Sequence, residues 1–361
     1  MSPRPAVVFG GPSPEHDISI LTGLQAARAL TMSGRDVDAI YWTKTGQWFL
    51  VDPDSEATHF AQGVPPKAKA LRFEAEPGGG FFNKKKRLDI GVVLNACHGG
   101  PGEDGTVQGL FDLAGLRYTG PDSSASALGM DKLAFGGLTA AAGLTTLPRL
   151  LVGGPAPPFD GPYIIKPRYG GSSIGISVVD DYDTAMALLN TSPHMGKGAV
   201  LEPFLAGSQD LNIAVRTYPS VQTSAIEAPL RESDQIYDYA QKYLEGDGGM
   251  DAAKRELPAK LPAEDEALIR RMATEIAGLA RLRSVARIDF LAHDGVIYVN
   301  EVNTIPGSLA GYLWIDPPIA RVELLGDMLD EVVGLPSTQY TTAGADGTAL
   351  RSAGTIASKL G

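Results

Sequence analysis

Apolar and polar positions alternate in blocks along the first third of the chain. AVVFG, close to the N-terminus, is a short continuous apolar run of the kind a fully buried strand needs. GGPSPEHD then makes a turn, after which Ile18, Leu21, Leu24, Ala27 and Leu30 recur at helical spacing. VDAIYWT (37–43) predicts a second strand, and LDIGVVLNA (88–96), a mainly apolar run, reads as a central parallel strand. The stretch 52–87 between them is polar, rich in Gly and Pro, and ends in GGGFFNKKKR. VQGLFDLAGL predicts a helix after the 88–96 strand, and another runs from Ser124 to about Ala142. Strand, glycine turn and helix open an α/β unit.

The pattern then changes. PYIIKP and GISVVDD flank a Gly/Ser loop and read as a hairpin. Residues 182–190 predict a helix, AVLEPFL and LNIAVRTYP predict strands, and QIYDYAQKYLEGDGGMDAAKREL is a long polar segment of the kind that serves as a functional loop. EDEALIRRMATEIAGLARL is an amphipathic helix, VARIDFLA and VIYVNEVNT are paired strands around HDG, and a last helix covers about 318–333. A tail from 336 is rich in Ser, Thr, Ala and Gly and has little to pack with. The expected organisation is an α/β domain over 1–122, α+β units over 123–210 and 211–335, and a tail over 336–361.

Composition narrows the chemistry. A net charge of −11 opposes binding to a nucleic-acid backbone, which leaves a basic footprint. A single cysteine excludes an internal disulfide framework and a Cys-based zinc cluster. No apolar run is long enough for a membrane span, and MSPRPAVVFGG has too short an apolar stretch for a secretory signal, so a cytoplasmic location is expected.

Four segments carry candidate chemistry. In VARIDFLAHDGVIYVNEVNTIPG, Arg287 and Asp289 share one strand face, as do Glu301 and Asn303. A two-residue Asp-Gly turn would set Asp289 opposite Asn300. A three-residue loop would set Arg287 opposite Glu301 and gather all four side chains on one face. Asp, Glu and Asn oxygens converging there suit Mg²⁺, whereas an isolated hairpin would simply show a solvated face. In IIKPRYGGSSIGIS, Lys166 ends a strand and Gly170, Gly171, Ser172, Ser173 and Gly175 follow, small residues whose backbone N–H groups can approach phosphate oxygens. The lysine precedes the glycines, so this is not a Walker A loop, and a Gly/Ser hairpin alone is usually only a hairpin. HGGPGEDGTVQG (98–109) follows the apolar strand, where open α/β sheets bind ligands, and offers His98, Glu103 and Asp104. Asp104 equally suits a helix cap, and Cys97 reads as a buried inert thiol. In FGGPSPEHD, Glu15 taken alone is an acid favourably placed at a helix N-terminus.

Together these segments resemble the D-alanine–D-alanine ligase family of ATP-grasp enzymes. The stretches FGGPSPEHDIS, HGGPGEDGTVQGLFDLAGLRYTGP, SALGMDKL, IIKPRYGGSSIGIS, IYDYAQKY and RIDF…NEVNTIPG follow in family order. The resemblance implies an α/β plus α+β ATP-grasp architecture, with a Rossmann-like N-terminal domain and two subdomains that grip ATP. It implies that ATP phosphorylates the carboxylate of one D-alanine and that the amine of a second attacks the acyl phosphate. Its residue implications are as follows. Asp289, Glu301 and Asn303 would hold Mg²⁺, two ions, with Mn²⁺ as a substitute. Lys132, Lys166, Gly171, Ser173, Glu202, Leu205, Asp210 and Lys242 would contact ATP. Arg287 and Gly307 would stabilise the oxyanion, and Glu15, Ser172 and Tyr243 would form a hydrogen-bonded link at the first substrate. His98, Tyr312 and Leu313 would line the amino-acid sites. A homodimer is the family habit. Tyr312 stands where the family usually has Ser, Pro203 sits in the hinge, and Arg168, Tyr169 and Gly170 lead into the Gly/Ser loop. GSQDL is one residue longer than the usual segment. A related ligase with a different acceptor is therefore the alternative implied.

Overall fold

The computed structural model describes residues 4–230 and 255–359. The first domain is built on a seven-stranded sheet of β1 (Pro5–Gly10), β2 (Asp38–Trp42), β3 (Trp48–Val51), β4 (Lys69–Glu74), β5 (Gly80–Asn83), β6 (Lys86–Arg87) and β7 (Val92–Asn95), in the order β6-β5-β4-β3-β2-β1-β7. Strand β1 runs parallel to both β2 and β7, and the remaining pairs are antiparallel. Side chains of β1 alternate between two cores: Val7 and Phe9 pack on one face, Ala6 and Val8 with Phe81 and Phe111 on the other. Helix α1 (His16–Met32) covers the first face.

Two expectations about this domain change. The apolar run 88–96 yields only the four residues of β7, at the end of the ladder rather than its centre, with a lone bridge from Val93 to Tyr118 beyond it. Its central Val92, Val93 and Leu94 are apolar because both faces are covered, Val92 and Leu94 by one core and Val93 by the other. The polar stretch 52–87 forms β4, β5 and β6, a meander whose exposed edge carries Lys86 and Arg87, charges that discourage pairing with another chain.

The long helix expected from Ser124 is two, α4 (Ser123–Met130) and α5 (Lys132–Ala141), after short α2 (Gly100–Glu103) and α3 (Thr106–Ala114). Asp131 takes an extended conformation (φ −80°, ψ 99°), and its carboxylate accepts the N–H groups of Leu133 and Ala134, so an apolar period that looks continuous is broken by a new N-cap.

A four-stranded sheet follows, of β8 (Leu150–Leu151), β9 (Tyr163–Pro167), β10 (Ser177–Val179) and β11 (Ala199–Pro203), ordered β10-β9-β11-β8, with α6 (Tyr182–Thr191). The expected hairpin is present, Ser177 pairing with Ile165. The third sheet comprises β12 (Gln209–Arg216), β13 (Gln222–Pro229), β14 (Arg255–Glu256), β15 (Val285–His293) and β16 (Val296–Asn303), ordered β14-β13-β12-β15-β16. Helix α7 (Ala263–Leu279) lays Ile269, Met272 and Ile276 on its apolar face, and Phe135 of α5 joins the same core. Helix α8 (Arg321–Gly334) returns to the first domain, where Leu324, Leu325 and Met328 pack with Val7 and Phe9. A short α9 (Thr348–Ser352) lies in the tail.

The β15–β16 hairpin follows neither anticipated register alone. Asp294 and Gly295 form a two-residue turn, both with positive φ, which pairs His293 with Val296 and Phe290 with Val299. A bulge at Asn300 then slips the ladder by one residue, so Asp289 faces Glu301 and Arg287 faces Asn303. The two-residue turn and the gathered polar face coexist because the bulge supplies the missing residue.

Candidate active site

The three sheets enclose one large cavity. It is lined by Glu15 and His98 from the first domain, by Lys132, Lys166, Gly171, Ser172, Ser173, Glu202 and Leu205 from the middle, and by Asp210, Arg287, Asp289, Glu301, Asn303, Gly307 and Tyr312 from the third sheet and the segment after it. Every site residue implied by the family resemblance, among those described, lines it except Leu313, whose side chain is fully buried in the core beneath and can offer only its backbone. Lys242 and Tyr243 fall outside the described residues.

The floor is a row of side chains in register across the third sheet. Glu227 of β13 pairs with Asn212 of β12, Asn212 with Asp289 of β15, and Asp289 with Glu301 of β16. Each carboxylate has a cation. Arg287 meets Asp289 through two parallel bonds of 2.7 and 2.8 Å, Asn303 donates to Asp289 at 3.0 Å, and Lys132 meets Glu301 at 3.0 Å. Burial lowers Arg287, but Asp289 beside it outweighs that and holds the guanidinium charged. Asn300, thrown out by the bulge, accepts from Lys166 at 3.0 Å.

Lys166 also meets Glu202 at 2.8 Å, and Glu202 is fully buried. Burial would raise the Glu202 carboxyl, but Lys166 and Arg149 outweigh it and hold it below the ordinary range. Arg149 was not foreseen. Its Nε pairs with Glu202, its Nη1 donates to the Lys132 carbonyl at 2.5 Å and its Nη2 to the Asn300 carbonyl at 2.9 Å. One guanidinium thus joins α5, β11 and β16. Asp131 and Arg168 form a second unforeseen tie, bidentate at 2.8 and 2.6 Å, with the Tyr169 hydroxyl donating to the same carboxylate at 3.1 Å. Together with the Lys132 N–H to the Arg168 carbonyl, it fastens the start of the Gly/Ser loop to the start of α5.

The Gly/Ser loop reaches the first domain at Glu15, whose Oε1 accepts the Ser172 hydroxyl. Glu15 does stand at the N-terminus of α1, but it makes no side-chain cap there and its carboxylate is turned to Ser172 instead. Close approach explains the glycines. A Cβ on Gly171 would lie 2.9 Å from a Glu15 oxygen, and one on Gly99 would lie 2.3 Å away. Ser172 and Ser173 are both left-handed, at φ 52° and 58°. The buried His16 fixes the turn before α1, meeting the Gly11 carbonyl at 2.6 Å and the Tyr41 hydroxyl at 3.0 Å.

The HGGPGED loop is tied to the NTIPG loop. Glu103 accepts from the N–H groups of Gly99 and Ile305, both at 2.9 Å, and from the Thr304 hydroxyl at 3.1 Å. Burial, with Glu15 near, pushes its carboxyl up to about 7. His98 spends both ring nitrogens, on the Ile305 carbonyl and the Thr22 hydroxyl, each at 2.7 Å, and burial lowers it to about 4. It is neutral at physiological pH and positions the loop. Asp104 accepts from the Thr106 N–H at 3.0 Å, just ahead of the Gly105 N-cap of α3, and does not line the cavity. Cys97 is fully buried and burial pushes its thiol up.

After the NTIPG loop, Ser308, Leu309 and Ala310 are all left-handed, with φ of 50°, 51° and 50°. Such residues each cost about 1–2 kcal/mol. The turn is held by the Ser308 N–H to Thr22 Oγ1 at 3.1 Å and by burial of Leu309 and Ala310. It sinks Leu313 in the core and brings Tyr312 to the cavity, where the phenol donates to Glu227 at 3.0 Å. Burial first, then Glu227, push the Tyr312 phenol well above its ordinary range, so it remains a donor. Arg255 meets Glu227 at 3.0 Å and stacks 4.6 Å from the Tyr312 ring centre. Glu227 and Arg255 were also unforeseen, being far from Tyr312 in sequence.

Among the described residues no three His, Cys, Asp or Glu side chains cluster as a metal site. Asp289 and Glu301 with the Asn303 amide are a sparse oxygen set, which fits Mg²⁺ shared with phosphate oxygens.

A sequence profile described as D-ala D-ala ligase N-terminus matches residues 4–121, and one described as D-ala D-ala ligase C-terminus matches 158–312. A D-alanine–D-alanine ligase of Mycobacterium tuberculosis (strain ATCC 25618 / H37Rv) is 31% identical, over 91% of this chain and 94% of that one. Another, from Campylobacter lari, is 32% identical over 86% of this chain and 89% of its own length. The fold matches a D-Ala:D-Ser ligase from Enterococcus faecalis, with a TM-score of 0.74 at 24% identity over 91% of this chain and 99% of that one. It also matches D-alanyl-alanine synthetase A from Vibrio cholerae, with a TM-score of 0.76 at 21% identity over 92% and 98%.

Proposed function

Because the chain belongs to the D-alanine–D-alanine ligase family, we propose that it joins two D-alanine molecules with ATP, through an acyl phosphate, to supply a cell-wall precursor. The observation that supports this most is that Glu15 reaches Ser172 in the same cavity in which Arg287, Asp289, Glu301 and Asn303 share one face. Glu15 suits the ammonium of the first amino acid, with Ser172 orienting the carboxylate. Arg287 and the Gly307 N–H suit the oxyanion formed when the second amine attacks the acyl phosphate. Lys132 and Lys166 suit the phosphates that flank phosphoryl transfer, and Ser173 and Gly171 suit a cover over them. Glu202, Leu205 and Asp210 suit the nucleoside. Mg²⁺, one or two ions, would be held by Asp289, Glu301 and Asn303 and would neutralise phosphate charge. Lys242 and Tyr243 stay part of the proposal without structural support.

We retain as part of this reading a domain division of 1–122, 123–210 and 211–335 with a tail from 336, a homodimer and a cytoplasmic location. No helix among the described residues is long and apolar enough to cross a membrane. Phosphate release with ATP, Mg²⁺ and D-alanine, with mass spectrometry of the product, tests the reading. Absence of D-alanyl-D-alanine overturns it. Tyr312, half-buried at the cavity wall, favours one second reading, the same chemistry with another acceptor, which a panel of D- and L-amino acids separates from the first.

A further inference from the structure

Five side chains that can carry positive charge line the cavity among the described residues: His98, Lys132, Lys166, Arg255 and Arg287. Four carry no charge or already have a place in the proposed ligation. His98 is neutral and has both nitrogens engaged. Lys132 and Lys166 are assigned to phosphate and Arg287 to the oxyanion; each of the three faces a carboxylate, Glu301, Glu202 and Asp289, as Arg255 faces Glu227. The proposed ligation leaves one charge unassigned. The first amino acid loses its carboxylate charge on forming the peptide bond, but the second keeps its own. A carboxylate brought into a largely enclosed cavity needs a charged or multiple-donor partner.

We propose that Arg255 is the specificity-determining residue that receives the carboxylate of the second amino acid, with Glu227 and Tyr312 as its positioning residues. The inference rests on the ligase reading given above and deepens it. Three observations carry it. Arg255 is held on two sides, by Glu227 at 3.0 Å and by the face of Tyr312 at 4.6 Å, so its planar fork is ordered before any ligand arrives. Glu227 is fixed in turn, accepting from Asn212 at 3.1 Å and from Tyr312 at 3.0 Å as well as from Arg255. Finally, Glu227 is the far end of the row that runs through Asn212 and Asp289 to Glu301, so this cluster lies along the sheet from the groups assigned to phosphate. A guanidinium offers donors in a fork that matches a carboxylate, which a lysine does not. The strained turn 308–310 brings the Tyr312 ring under that fork, and the bulk of the ring selects a small side chain on the second amino acid.

D-alaninamide tests this, because it lacks a carboxylate and can enter only as the second substrate. The full-length protein is given ATP, Mg²⁺, D-alanine and D-alaninamide in competition, and the two dipeptide products are weighed by mass spectrometry. The wild type should favour the free acid strongly. Arg255→Met, similar in length and uncharged, should cut the acid-to-amide product ratio at least tenfold, Arg255→Lys should fall between, and Tyr312→Phe should shift the ratio less than either. A folded Arg255→Met protein that is slower with an unchanged ratio would overturn the proposal, since a structural role lowers both products alike. If Arg255→Met makes no product, the ratio in Arg255→Lys decides in the same way. Failure of the wild type to release phosphate with any amino acid would instead remove the ligase reading on which the inference stands.

Discussion

Replacing Arg149 by Met removes a residue the active-site motifs do not contain, yet it should disturb both stability and nucleotide binding. The Arg149 side chain is 5% exposed and its partner Glu202 is 0% exposed. Removing one member of a buried ion pair costs about 3–5 kcal/mol, because the other charge is left without compensation. Lys166 still meets Glu202 at 2.8 Å, which places the cost near the lower end, about 3 kcal/mol. At about 2–4 °C per kcal/mol, the melting temperature should fall by about 6–12 °C. The acid limb should move as well. A carboxyl held below its ordinary range contributes stability that is present above that range and lost as pH falls through the folded value. Without Arg149 the burial of Glu202 is less opposed, its carboxyl rises, and the loss begins at a higher pH. The same substitution frees the Lys132 and Asn300 carbonyls, so α5 and β16 lose their common anchor and the KM for ATP should rise more than that for D-alanine. Thermal melts across pH and steady-state kinetics on the folded variant read both effects. A melting temperature within about 2 °C of wild type, with an unchanged KM for ATP, would refute the reasoning.

Glu103→Gln should flatten the pH dependence of melting between about pH 4.5 and 7. The wild-type carboxyl is raised from 4.5 to about 7, so its contribution is present at low pH and lost, by about 3 kcal/mol, as pH rises through that window. An unchanged slope would count against the burial of that charge. Glu301→Gln changes charge at near-constant volume, so Mg²⁺-dependent phosphate release should fall at least a hundredfold while the protein stays folded, and an unchanged kcat would remove the metal assignment. Cys97 should resist thiol reagents in the native protein and react only on unfolding, since it is fully buried with its thiol pushed up. Rapid labelling of folded protein would contradict that placement.

Local chemistry in the chain was enough for much of this protein. Apolar spacing placed α1, α7 and α8, the Asp-Gly turn placed the β15–β16 hairpin, and the residues that motif resemblance named among those described line the cavity with the exception of Leu313, because backbone propensity and side-chain periodicity act over a few residues. Local patterns also had limits, as the unbroken apolar period across Asp131 shows. Its carboxylate serves Arg168 and the new N-cap at once, a choice settled by a partner 37 residues away. The hairpin register likewise needed a bulge at Asn300, which no turn rule supplies and which Lys166, 134 residues away, makes use of. Arg149, Glu227 and Arg255 read as ordinary charged residues in sequence. Their partners are brought to them only when three sheets close on one cavity, and a buried charge takes its meaning from the countercharge the fold sets beside it.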